Sequence, residues 1–136
     1  MVTSVLYRCN IRILELAMKN ELNKQELHNL AMNIVGKDLE DQGYEFLGIK
    51  SELKTNPQFV ALKEKKLHFV VVRAILYPDD PKKFDQIFME GIKEHALKFN
   101  ARTFYAGVGL ANSKDYELPI TKDEDYIVNY DGIQEV

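Results

Sequence analysis

Residues 67–77, LHFVVVRAILY, form the longest apolar run in the chain, interrupted by a single arginine, Arg73. A run of this length, rich in β-branched residues and without polar alternation, predicts a central strand covered on both faces. Pro78-Asp79-Asp80-Pro81 stops it. Asp80 suits a helix N-cap and Pro81 a first helical residue. Phe84, Ile87, Phe88, Ile92, His95 and Phe99 then recur at helical spacing to about residue 99. RTFYAGVGLA, 102–111, reads as another strand. Strand, helix and strand in succession predict a right-handed crossover between parallel strands. The chain is thereby committed to a sheet with at least one helix lying on it.

The flanking segments extend this scheme. Asn23 followed by Glu26 forms a capping-box pattern. Leu27, Leu30, Ala31, Ile34, Val35 and Leu39 continue as an apolar stripe, and Gly43 is placed to end the helix. YEFLGI (44–49) and QFVAL (58–62) read as strands, the second starting behind Pro57. The latter and the central strand predict a hairpin with Glu64 to Lys66 at its tip. DYIVNYDGI (125–133) reads as a last strand near an edge. In residues 4–19, Val5, Leu6, Cys9, Ile13, Leu16 and Ala17 favour a helix, although NIRIL also suits an extended chain. The predicted order is α-α-β-β-β-α-β-β, an α/β protein with a mixed sheet flanked by helices. At 136 residues it reads as one domain: an extension (1–22), a core (23–111) and an acidic, tyrosine-rich C-terminal segment with an edge strand (112–136).

Charge is distributed unevenly. The net charge of −3 gives no whole-chain drive toward nucleic acid or an anionic membrane. Residues 115–136, however, hold Asp115, Glu117, Asp123, Glu124, Asp125, Asp131 and Glu135 against one base, Lys122. Tyr105, Tyr116, Tyr126 and Tyr130 gather in the same third of the chain. Tyrosine joins apolar area to a polar tip, so this segment could dock a basic protein or a second copy of the chain. The alternative is that the rings cap the sheet edges. Lys63, Lys65 and Lys66 at the hairpin tip, with Lys82 and Lys83, form either a basic rim for nucleic acid or a set of solvated turn lysines.

Other chemistry finds little footing. The lone cysteine, Cys9, excludes a disulfide within the chain and a four-cysteine cluster, and reads as a small apolar residue. His28, His68 and His95 lie on different elements without a second ligand at metal spacing. Gly107-Val108-Gly109 lacks the spacing of a dinucleotide loop and predicts close packing or a bulge. Asp123-Glu124-Asp125 lacks the spacing of a calcium loop, and Asp79 and Asp80 suit turn and helix capping. No cofactor is expected. No stretch approaches the roughly 18 apolar residues of a membrane span. MVTSVLYRCNIR lacks the pattern of a signal peptide, so the expected compartment is the cytoplasm.

LEDQGYEFL (39–47), FVAL, KEKK, LHFVVVRA and KFNARTFYAGVGL resemble the restriction-endonuclease-like, or PD-(D/E)XK, superfamily. The likeness is to its small bacterial branch similar to Holliday-junction resolvases, and runs from about Leu30 to Leu110. It implies a restriction-endonuclease-like fold whose Mg²⁺ site takes two strand carboxylates, a lysine and often a helix glutamate. Mg²⁺ requires hard oxygen ligands to activate water. Those positions fall here at Gln58, with Asn56 just before it, and at Val71, Arg73 and Met32. No carboxylate is among them, and arginine is a poor proton acceptor. The chain also resembles short Bacteroides-type proteins labelled as a sodium-translocating NADH–quinone reductase subunit, whose implied iron–sulfur and flavin chemistry a single cysteine contradicts.

The expectation is therefore a non-enzymatic binding or scaffold protein on a nuclease-like fold. Its partner would be a protein or a second copy, held by the acidic C-terminal third. A nucleic-acid-binding module using Arg73, Lys63, Lys65 and Lys66 is the alternative. A nuclease with acids moved to Glu45, Glu52 or Asp79 is the third reading.

Overall fold

The computed structural model describes residues 20–136. Cys9 and the segment 4–19 lie outside the described residues. The elements are α1 (Lys24–Asp41), β1 (Glu45–Ile49), β2 (Phe59–Lys63), β3 (Lys66–Leu76), α2 (Gln86–Leu97), β4 (Arg102–Asn112), β5 (Tyr126–Asn129) and β6 (Gln134–Glu135). The sheet runs β1-β2-β3-β4-β5, with β6 also on β4. β3 and β4 are parallel and the other pairs antiparallel, so the sheet is mixed. No helix of the described residues is long and apolar enough to cross a membrane.

Local signals set α1. The Asn23 side chain accepts from the Glu26 N–H at 2.8 Å, and the Glu26 carboxylate accepts from the Asn23 N–H at 3.1 Å. Gly43, at φ +86°, supplies the left-handed residue just past the end. The buried face is His28, Ala31, Met32, Val35 and Leu39, with Leu27, Leu30 and Ile34 only partly covered. The expected stripe is thus rotated. The line of contact with the sheet passes through His28 and Met32, which apolar spacing alone did not select.

β2 and β3 form the expected hairpin. The turn is two residues, Glu64 (φ 52°) and Lys65 (φ 65°), and Lys66 belongs to β3. Val70, Val71 and Val72 are wholly buried, as expected of a central strand. Alternation along β3 sends Val70 and Val72 into the core beneath α1. Val71 meets Met89 and Tyr105 on the other side, and Phe69 packs with Ala96 and Ala101. The sheet therefore lies between the two helices.

Two expectations are corrected. The second helix does not start at Asp80 and Pro81. Asp80 caps a turn, accepting the Lys82 N–H at 2.9 Å, and Asp85 caps α2 by accepting from Phe88. The cause is Gly107, where a Cβ would lie 1.9 Å from the Pro81 carbonyl oxygen. The loop is seated on β4 there and holds residues 81–85 out of helical register. α2 consequently buries Met89 and Ala96, with Phe84 and Ile92 beside them, while Ile87 is 84% exposed. Phe88, His95 and Phe99 are exposed as well.

The second correction concerns residues 125–133, which are not one strand. After Asn129 the chain leaves β4, Tyr130 and Ile133 turn into the core beneath α1, and Gly132 takes φ +103°. The chain then returns to β4 as β6. The observed order over the described residues is α-β-β-β-α-β-β-β.

Candidate functional site

Two polar regions stand out. The first is a seam where β2 leaves β3, beyond the Phe59–Val70 pair. Gln58 is fully buried there. Its amide nitrogen donates to the Thr55 carbonyl at 3.0 Å and to Asn56 Oδ1 at 2.9 Å. Its oxygen accepts the Val72 N–H at 2.8 Å, a ladder hydrogen bond that the β2 backbone no longer supplies. Arg73 completes the seam. It donates to Asn56 Oδ1 at 3.0 Å and to the Val72 carbonyl at 2.8 Å, and its guanidinium lies 5.3 Å from the Phe88 ring centre. Among the described residues Arg73 forms no ion pair. Burial pushes its guanidinium below the ordinary value.

Gln58 and Arg73, expected to sit together, therefore meet through Asn56. Val71 adjoins them in β3 but faces Met89 and Tyr105. Met32 lies across the sheet with Val70 and Val72. The hairpin lysines are not brought to Arg73. Arg73 lies seven positions along β3 from Lys66, roughly 23 Å of strand. Lys63 instead lies over the Tyr44 ring at 5.0 Å, and Lys82 pairs with Asp131 at 3.0 Å.

The second region is the C-terminal face. Leu30, Ile34, Asp38 and Asp41 of α1 oppose Tyr126 and Tyr130 across an open cleft of about 710 Å³. Asp38 accepts from the Tyr130 hydroxyl at 2.8 Å and from Gln42 at 2.8 Å, but pairs with no cation among the described residues. Burial, then the bond to Asp38, drives the Tyr130 phenol far above its ordinary value. Tyr126 remains 38% exposed at the rim. On the opposite face of β5, Ile127, Ile75, Tyr77 and Tyr116 line a crevice of about 190 Å³, the two tyrosine rings 5.3 Å apart. Tyr105 differs, being buried against Phe84. Glu124 pairs with Lys114, and Glu135 with Arg102 at 2.7 Å. Asp123 and Asp125 carry no such partner among the described residues.

Spacing arguments gave His28 no role, while the resemblance set Asn56 just before Gln58 without assigning it one. His28 is wholly buried on α1, and neither ring nitrogen has a partner. Burial, and then Arg73, lowers its pKa.

Residues 25–136 match a family described as Domain of unknown function (DUF8840). No curated protein and no solved structure matches the chain.

Proposed function

The chain belongs to this DUF8840 family, and from that premise we propose that it is a non-enzymatic docking domain for a protein partner, held on the acidic, tyrosine-lined face between α1 and β5. The observation that carries this reading is the cleft itself. It has apolar walls at Leu30 and Ile34, an exposed tyrosine at its rim and a carboxylate, Asp38, that pairs with no cation among the described residues, the one lysine of the lining, Lys37, being paired with Asp41. Such a surface matches an apolar side chain next to a lysine or arginine. The order from α1 to β4 also supports a restriction-endonuclease-like scaffold. At its would-be catalytic positions Gln58 and Arg73 are tied into the framework.

A second reading, a nucleic-acid module, draws on Arg73 over the partly exposed Phe88 ring, with no ion pair to a carboxylate among the described residues. A relocated metal site would need acids to converge, and the described residues hold no group of three or more potential metal ligands.

The test is a ¹H–¹⁵N NMR titration with a lysine-rich peptide, a glutamate-rich peptide and a DNA duplex. Docking predicts salt-sensitive shifts at Tyr126, Tyr130 and Asp38 with the lysine-rich peptide alone. Shifts confined to Arg73 and Phe88 with DNA would transfer the conclusion to the second reading.

A further inference from the structure

Resting on that docking reading, we propose that β5 receives the partner as an added β-strand: an extended, lysine- or arginine-bearing segment that extends the sheet. Among the described residues β5 is the outermost strand at its end of the sheet, and all four of its residues are exposed. It pairs with β4 in unbroken register from Gly109–Asn129 to Asn112–Tyr126. It contains no lysine, proline or bulge, the usual guards against strand addition.

The hydrogen-bond phase shows what is left open. Ser113 donates to the Asp125 carbonyl at 3.3 Å, and antiparallel pairing alternates from there. Ile127 and Asn129 thus bond to β4, and Tyr126 and Val128 direct their N–H and C=O groups to the free edge. Side chains of an added strand alternate between faces. One set would lie beside the acidic cleft that Tyr126 borders, the other beside the apolar crevice that Ile127 lines. Asp123 and Asp125 precede β5 and have no ion-pair partner among the described residues, whereas Asp131, which follows it, is held by Lys82. A second copy would bring these acids against themselves, whereas a basic segment complements them.

The experiment uses an alternating lysine–valine heptapeptide as probe. A version N-methylated at alternate residues lacks one edge of backbone donors. Isothermal titration calorimetry gives affinity, and hydrogen exchange reads the Tyr126 and Val128 amides. Strand addition predicts binding that protects both amides and weakens at least tenfold with the N-methylated peptide. Val128→Pro, which removes one outward donor and leaves the β4 ladder intact, should weaken binding similarly. Equal affinity of both peptides for the wild-type protein would overturn strand addition and leave docking by the cleft standing. That arm holds even where Val128→Pro does not fold. A dimer in sedimentation that Val128→Pro abolishes would assign the edge to a second copy and overturn the proposal. Failure of every basic peptide to bind would remove the docking reading with it.

Discussion

The seam at Arg73 and the face at Tyr126 are both polar regions on a sheet, yet they are finished differently. In the seam, every hydrogen-bonding atom of the Gln58 side chain has a protein partner, and Asn56 serves both Gln58 and Arg73. On the C-terminal face, among the described residues, Asp38 pairs with no cation and the outer edge of β5 pairs with no strand. Buried polar groups must be satisfied within the chain, whereas exposed ones can wait for a partner. Seam residues should therefore govern stability and face residues binding, and substitutions can separate the two.

The largest effect should come from Gln58→Glu. A carboxylate can accept from Val72 but cannot donate to Thr55 and Asn56, and it buries a charge, costing about 3 kcal/mol or more in denaturant unfolding. A cost under about 1 kcal/mol would break the comparison. Arg73→Ala should lower stability by about 1–2 kcal/mol, through the lost bonds and the contact with Phe88, with lysine-rich peptide affinity unchanged. Tyr130→Phe bridges the regions. Losing the bond to Asp38 should cost about 1 kcal/mol, and the freed carboxylate should bind basic peptide at least as well.

pH offers a finer discrimination. His28 has a lowered pKa in the folded protein, so below about pH 6.5 the unfolded chain binds more protons. Stability present above that pH should fall as the solution is acidified from 7 to 5.5, read as melting temperature. His28→Leu should flatten the slope, with the part due to His68, also lowered by burial, remaining. The smallest stability effect is expected of Tyr126→Ala, within about 0.5 kcal/mol. The same variant should weaken lysine-rich peptide binding severalfold by calorimetry, and no loss of affinity would remove the functional half of the comparison.

Much of the scaffold was legible because its signals are short-range. The Asn23–Glu26 box, the Gly43 stop and the apolar run of β3 each act within a few residues, and the parallel β3–α2–β4 crossover follows from their order. The glycines of β4 were read as sites of close packing, and Pro81 does lie against Gly107. The site was less legible. Sequence placed Gln58, Asn56 and Arg73 in one region and acids and tyrosines in another, but gave no sign that the Asn56 side chain links Gln58 to Arg73. It also grouped the hairpin lysines with Arg73, which sit far along β3 from it.

The physical reason lies in the range of the deciding interactions. Asp80 and Asp85 are both competent caps, and the amino acids around them do not choose. Steric contact between the Pro81 loop and β4 chooses. DYIVNYDGI has the composition of one strand, but a hydrogen bond between Tyr130 and Asp38, 92 residues apart, accompanies its departure from the sheet. The amino-acid sequence by itself determined the helices and strands from α1 to β4 and that the sheet would be mixed, since periodicity and capping are local. Only the tertiary structure decided where α2 begins, which face α1 buries, and that the C-terminal segment splits into β5, outermost among the described strands, and β6, back on β4. Each of those outcomes depends on which surfaces meet.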